Sequence, residues 1–257
     1  MHKILKSFLL TILFFLVISN LKSQTKYPFN VGENVNYEIY YNVSFVWMNA
    51  GKVYFKIENK TINGKDYFWF RSKGTTYKSY DLFYKVRDTY ESIASKKTLK
   101  PIAFVRNSYE GGYSVNNRYI FDYGKKKIYT KCENSKIPLH HDTLDIKKNV
   151  YDALSMIYKA RTLDFSKYKS GDKIPLTMII DNEIYNLYIR YLGKEKIKTR
   201  EDKEFSCIKF SVLLVEGALF SGGEDMIVWV SDDKRKIPIL IQAKILVGSI
   251  KAYYISG

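Results

Sequence analysis

The sequence predicts a mainly β protein, an antiparallel meander curved into a two-sheet sandwich or an open barrel, with one central helix at about 150–164 packed on it. Three observations predict it. Runs of alternating apolar and polar residues recur along the 257 residues, as in Val53-Tyr54-Phe55-Lys56-Ile57-Glu58. Turn signals such as Asn63-Gly64, Gly111-Gly112 and Asp181-Asn182 separate these runs and leave no room for crossover helices. One stretch alone has helical spacing: Val150, Ala153, Leu154, Ile157 and Tyr158, with Arg161 one turn on.

The elements follow in order. Val31-Gly32-Glu33 opens a strand running to Val43, and Trp47 to Gly51 reads as a turn before the strand Lys52–Asn59. Asp66–Ser72 returns after the Asn63-Gly64 hairpin. Phe83–Ala94, Ile102–Tyr109, Ser114–Asp122 and Lys127–Lys131 continue the meander, while the polar stretch 133–148 reads as a connector. Asn149 is placed to cap the helix, and Gly171-Asp172 to stop the segment that follows it. Strands are then expected at Lys173–Ile180, Glu183–Gly193, Phe205–Glu216, Met226–Ser231, Ile237–Val247 and Ile250–Ile255, about thirteen in all. Residues 24–257 read as one domain. Gly32-Glu33 and Gly171-Asp172 open similar strand pairs, which reads either as two related β-units at about 31–132 and 171–257 joined by 133–170 or as the likeness that any two antiparallel strand pairs share.

Residues 1–23 read as an export signal. Lys3 and Lys6 precede an apolar run, Phe8–Ile18, too short to span a bilayer, and cleavage is expected between Ser23 and Gln24. No cysteine follows the run, which excludes a lipid anchor there. Removing the signal takes away Lys3, Lys6 and Lys22 and no acid, lowering the net charge from +16 to +13. The lysines are spread along the chain, as on a solvated basic surface, and an exported protein rarely meets nucleic acid. Periplasm or cell surface is therefore expected, with no transmembrane span in the mature chain. Cys132 and Cys207 sit in separate predicted strands and read as two thiols rather than a disulfide.

The residues carry no catalytic signature. His140-His141-Asp142 with Asp145 places adjacent imidazoles on opposite sides of an extended chain, so a surface loop is expected instead of a metal site. No serine lies in a nucleophile elbow, and neither cysteine has a neighbouring histidine. Ser155 reads as bonding to the helix backbone. The pairs Glu224-Asp225 and Asp232-Asp233 read as turn residues. No cofactor is expected.

Several linked stretches carry a resemblance: YDALSMIYKAR with SGDKIPL, GKEKIKT, FSCIKF, and IVWVSDDKRKIPILIQAKILVGSIKAYY, with looser likeness in VGENVNYEIYYN and AGKVYFKIE. Through them the chain resembles an exported bacterial family, the domain of unknown function 3108. That resemblance implies a secreted or periplasmic β-rich protein and supplies no catalytic residue. Its motif residues have structural readings here: Tyr151, Leu154 and Tyr158 pack the helix on the sheet, and Asp232, Asp233 and Pro238 shape the last charged hairpin.

The functional expectation is a non-enzymatic cell-envelope protein that binds an amphiphilic or glycan ligand in the concavity of the sheet. Phe55, Phe70, Phe121, Tyr158, Phe210 and Trp229 are the candidate lining. The alternative is an interaction module docking an acidic envelope partner through its basic surface. An enzyme ranks third, and would need clustered acids with displaced pKa values in a cleft.

Overall fold

The computed structural model describes residues 27–43, 46–215, 222–245 and 248–257. The proposed signal and its Ser23–Gln24 junction lie outside them. A first antiparallel meander comprises β1 (Asn34–Val43), β2 (Val46–Ile62), β3 (Lys65–Thr76), β4 (Val86–Ser95), β5 (Pro101–Glu110), β6 (Tyr113–Asp122), β7 (Lys127–Asn134) and β8 (His140–Asp145). A linker then carries helix α1 (Ala153–Arg161) and a single 3-10 turn (Phe165–Lys167). The second meander is β9 (Lys173–Ile180), β10 (Glu183–Lys198), β11 (Glu204–Leu214), β12 (Gly223–Ser231), β13 (Pro238–Lys244) and β14 (Ser249–Ser256). β1 pairs with β14, so the meanders fuse into one 14-stranded sheet whose edges are β8 and β9.

The sheet is open but strongly curved, and the helix explains how. α1 packs on β3 and β4 and also touches β9, which lies at the far edge of the strand order. One nine-residue helix reaches both only if the sheet curls round it. The same curl brings the β9–β10 turn onto the first meander, where Asn182 N–H donates to the Tyr119 hydroxyl (3.2 Å) and its side chain to Asp142 (2.6 Å). This is the open-barrel form of the predicted architecture.

The helix starts later than its apolar spacing implies. Asp152, not Asn149, is the N-cap: its carboxylate accepts from Ser155 N–H (2.9 Å), and Ser155 Oγ accepts from Asp152 N–H (3.1 Å). Asp152 also accepts from Ser92 Oγ (2.7 Å), fixing the cap to β4. Val150 and Tyr151 precede the helix instead; Tyr151 exchanges backbone bonds with Thr177 and Ile179 of β9. At the other end Arg161 is buried against Glu33 (2.9 Å) and donates to the Arg235 carbonyl, tying α1 to both meanders.

Two further readings change. Trp47–Gly51 is not a turn but part of β2; Gly51 is required because a Cβ there would lie 2.3 Å from the Thr75 carbonyl oxygen of β3. The stretch read as a connector contains the edge strand β8, so His140 and His141 lie in a strand and not a loop. Cys132 and Cys207 are buried free thiols, as expected.

The proposed likeness of the two units has a local counterpart. Gly32 N–H donates to the Ile57 carbonyl, and Ile57 N–H to that of Glu33; Gly171 and Asp172 make the same pair of bonds with Tyr191. Both glycines have φ near +100°, at 97° and 98°, which favours glycine over residues bearing a Cβ.

Candidate functional site

Strand register sorts the inner face of β3–β7 into rows. One row reads Phe70, Ser92, Phe104, Tyr119 and Thr130; the next reads Ser72, Tyr90, Arg106, Asn117 and Cys132; beyond it lie Gly74, Asp88, Ser108 and Val115. α1 covers the β3–β4 end of the first row, where Tyr158 stacks on Phe70 at 3.9 Å, and Val150 and Ile179 pack with Phe104 and Tyr119 farther along it. Phe29 and Phe68 complete that cluster.

The second and third rows build a polar cluster around Arg106. Its guanidinium donates to Asp181 in the β9–β10 turn (2.9 Å) and to Ser108 Oγ (3.1 Å), and approaches Glu110 at 3.5 Å. Asn117 also donates to Asp181 (3.0 Å). Asp88 faces the same cluster with one buried carboxylate oxygen that has no hydrogen-bond partner. Burial, then the neighbouring Glu110, pushes the Asp88 carboxyl up to about 7, and burial raises Glu110 as well. Arg106 and Asp181 thus clasp the two meanders together, and two acids with a raised affinity for protons stand behind the clasp.

A second feature lies on the other side of α1. The helix, residues 146–151 and strands β9–β10 enclose a cleft of about 880 Å³. Tyr151, Met156, Leu163, Leu176 and Leu187 give it an apolar floor, and Met156 and Tyr151 are themselves buried. Lys100, Lys126, Lys147, Lys148 and Lys159 border it, and no acidic residue lines it. Among the described residues none of these five lysines belongs to an ion pair. Lys100 lies over the Tyr123 ring at 5.3 Å. The cleft exists because Tyr151 pairs with β9 before the chain turns into α1, which holds Lys147 and Lys148 beside the opening.

The aromatic residues singled out from the sequence do not line this cleft. Phe70 and Tyr158 stack in the core, and Phe121 is buried with Ile128. Phe210 stacks on Phe165 at 5.6 Å, and Phe55 meets Tyr37 edge-on at 5.8 Å. Trp229 pairs across from Lys209 whereas Phe210 pairs with Val228, so Trp229 occupies the opposite face and donates to Glu195. Alternation located the five strand residues among them; it could not show that Tyr158 of α1 fills the space before Phe70, and Phe165 of the 3-10 turn that before Phe210.

His140 lies 3.7 Å from Asp142, and no group of three or more metal-ligating side chains occurs among the described residues. Among those residues no helix is long and apolar enough to cross a membrane.

The sequence profile of a protein family of unknown function, DUF3108, matches residues 36–254. The chain belongs to the DUF3108 family. No curated protein matches it. Among solved structures, the fold is similar to the crystal structure of a β-barrel-like protein of the domain of unknown function DUF1849 from Brucella abortus. The TM-score is 0.54 at 8% identity, over 87% of this chain and 95% of that one. That likeness concerns the fold. It agrees with a DUF3108 sheet rolled round one helix.

Proposed function

We propose that this protein is a non-enzymatic, exported cell-envelope protein that binds an anionic amphiphile in the cleft beside α1. One observation carries the reading: an apolar floor bordered by five lysines with no acid among the lining residues. The volume, about 880 Å³, suits a drug-sized or single-chain lipid ligand. Each methylene buried on the floor contributes about 0.8 kcal/mol, and the lysines select an anionic head. A purely polar acidic partner would leave the floor uncovered, which favours the amphiphile over a docking role for the basic surface. A catalytic role would rest on Asp88, Glu110 and Arg106, but these residues lie outside the cleft, and Arg106 is engaged by Asp181.

Native mass spectrometry with oleate, against a neutral monoacylglycerol of equal chain length, tests the proposal. A single oleate adduct is expected, weakened about tenfold in the triple variant Lys147→Gln, Lys148→Gln, Lys159→Gln, since three exposed charges at about 0.5 kcal/mol each sum to about 1.5 kcal/mol. Leu176→Asp should abolish it. Equal binding of both lipids, or of neither, would remove the proposal.

A further inference from the structure

Because hairpins join successive strands within each meander and β1 pairs antiparallel with β14, the turns fall alternately at two rims of the rolled sheet. One rim carries β2–β3, β4–β5, β6–β7, β10–β11 and β12–β13, with Asn63-Gly64, Lys96-Lys97, Lys125-Lys126, Arg200 to Lys203 and Asp232 to Lys236 at the tips. Those tips are polar and charged; the strongly exposed large apolar residues near them among the described residues are Val31, in the segment leading into β1, and Ile120, on β6 below the β6–β7 turn and not at its tip. The other rim is different. At its tips Val46 is 62% exposed, Leu82 89%, Phe83 76%, Ile137 50% and Leu139 49%.

The Leu82-Phe83 tip is held from below. Tyr80 packs on Tyr41 and Phe83, both at 6.1 Å between ring centroids. Tyr84 lies so close over Gly111 that a Cβ there would fall 2.2 Å from its ring. Arg87 and Thr76 engage Asp81, and Gly111 N–H donates to the Lys85 carbonyl (2.9 Å). The loop is therefore built to present two large apolar side chains outward. Two adjacent large apolar side chains, braced from below and almost wholly exposed, mark an interaction surface at this tip.

The partner follows from spacing and charge. From the β1–β2 tip to the β7–β8 tip is six strand spacings, about 29 Å of arc. The glycine turn Gly111-Gly112 lies between, so the apolar tips are separate points along a rim and not one contiguous patch. A fluid surface accepts separate wedges; a folded groove requires continuity. Lys78, Lys85 and Lys136 stand exposed at the same tips and are in no ion pair among the described residues, while Asp81, beside Leu82, is already satisfied. The outer wall carries Lys56, Glu58 and Arg71 in ion pairs, which suits docking by the rim and not burial of the wall in lipid.

We propose that this rim docks on an anionic lipid surface, with Leu82 and Phe83 entering the headgroup–acyl boundary and the lysines pairing with lipid phosphates. The proposal goes beyond the cleft reading and stands if the cleft takes no ligand. Since the apolar N-terminal run would itself bind vesicles, the test uses a local probe in the full chain. An environment-sensitive nitrobenzoxadiazole label goes on Phe83→Cys at the apolar rim, or on Lys234→Cys at the charged rim, with Cys132 and Cys207 buried. Phosphatidylcholine vesicles with and without phosphatidylglycerol are added. The expected result is a blue shift at Phe83→Cys that needs phosphatidylglycerol, with no shift at Lys234→Cys. Adding Ile137→Ser and Leu139→Ser should weaken the vesicle titration at least tenfold, and replacing the three lysines by glutamine should remove the dependence on phosphatidylglycerol. No shift at Phe83→Cys, or equal shifts at both rims, overturns the proposal. So does a shift that grows with protein concentration in the absence of vesicles, which would make the rim a contact between copies of this chain.

Discussion

Two neighbouring rows of the same strands have opposite characters. Phe70 and Ser92, under α1 and its cap, continue into Phe104 and Tyr119, packed with Val150 and Ile179, as one packed row; one step along the strands, Tyr90, Arg106 and Asn117 form a polar one, with Asp88 and Glu110 beyond it. The difference is set by what covers them. α1 spans nine residues and reaches only one end of the inner face, while the other end meets the Asp181-Asn182 turn. A strand's alternation selects its inner residues, and a covering element decides whether these are apolar or charged.

The largest effect should come from uncovering the packed row. Tyr158→Ala removes the ring stacked on Phe70 and is expected to cost about 3–5 kcal/mol in urea unfolding. Tyr158→Phe should be neutral or stabilising, because the buried hydroxyl has no hydrogen-bond partner. A loss with Phe as large as with Ala would break the assignment of this row to packing.

The polar row answers to pH instead. Burial lifts the Asp88 carboxyl from 3.8 to about 7, so the folded chain binds the proton more tightly than the unfolded one. Its contribution to stability is full below about pH 4 and is lost as pH rises to about 7. Asp88→Asn should therefore raise stability by about 2–4 kcal/mol at alkaline pH and change little under acid. Some slope should remain, because burial also raises Asp152 to about 6, with the same sign. Thermal unfolding across pH measures both; an unchanged slope in the variant would remove Asp88 from the account.

A smaller effect tests the clasp. Asp181→Ala removes the acceptor for Arg106 and Asn117 and should cost about 1–3 kcal/mol, with faster amide exchange concentrated at β8 and β9. Smallest of all, the triple lysine variant at the cleft should change stability by under about 0.5 kcal/mol, because those side chains are in no ion pair among the described residues.

Much of this was legible in the sequence where burial alternates. β6 is read from Val115, Asn117, Tyr119 and Phe121 because each is buried while the residues between them are not. β8 escaped because His140–Asp145 is an edge strand with only His140 and Leu144 half-buried, so no hydrophobic period marks it. Val150 and Tyr151 mimicked a helix face because a buried extended pair and a buried helical pair look alike over two residues. The polar row had a signal: Asp88 and Tyr90 share parity with Ser92 and Ala94, and Arg106, Ser108 and Glu110 share parity with Phe104. Charges at inward parity on two adjacent strands point to an interior site once register is known. The cleft lysines had none, since lysine is common throughout the chain and only the linker's path selects Lys147 and Lys148.

The pairing of β1 with β14 has a kinetic consequence. Tyr37 lies opposite Tyr254, so the first strand of the sheet waits for the last before its second edge is covered. Until then β1 offers a row of unpaired amides and carbonyls to any extended chain nearby. Closing so distant a contact is slow compared with forming the hairpins, which need only local turns. A newly made chain therefore passes through a stage with two finished meanders and an open seam between them, and that seam is where aggregation during folding should begin.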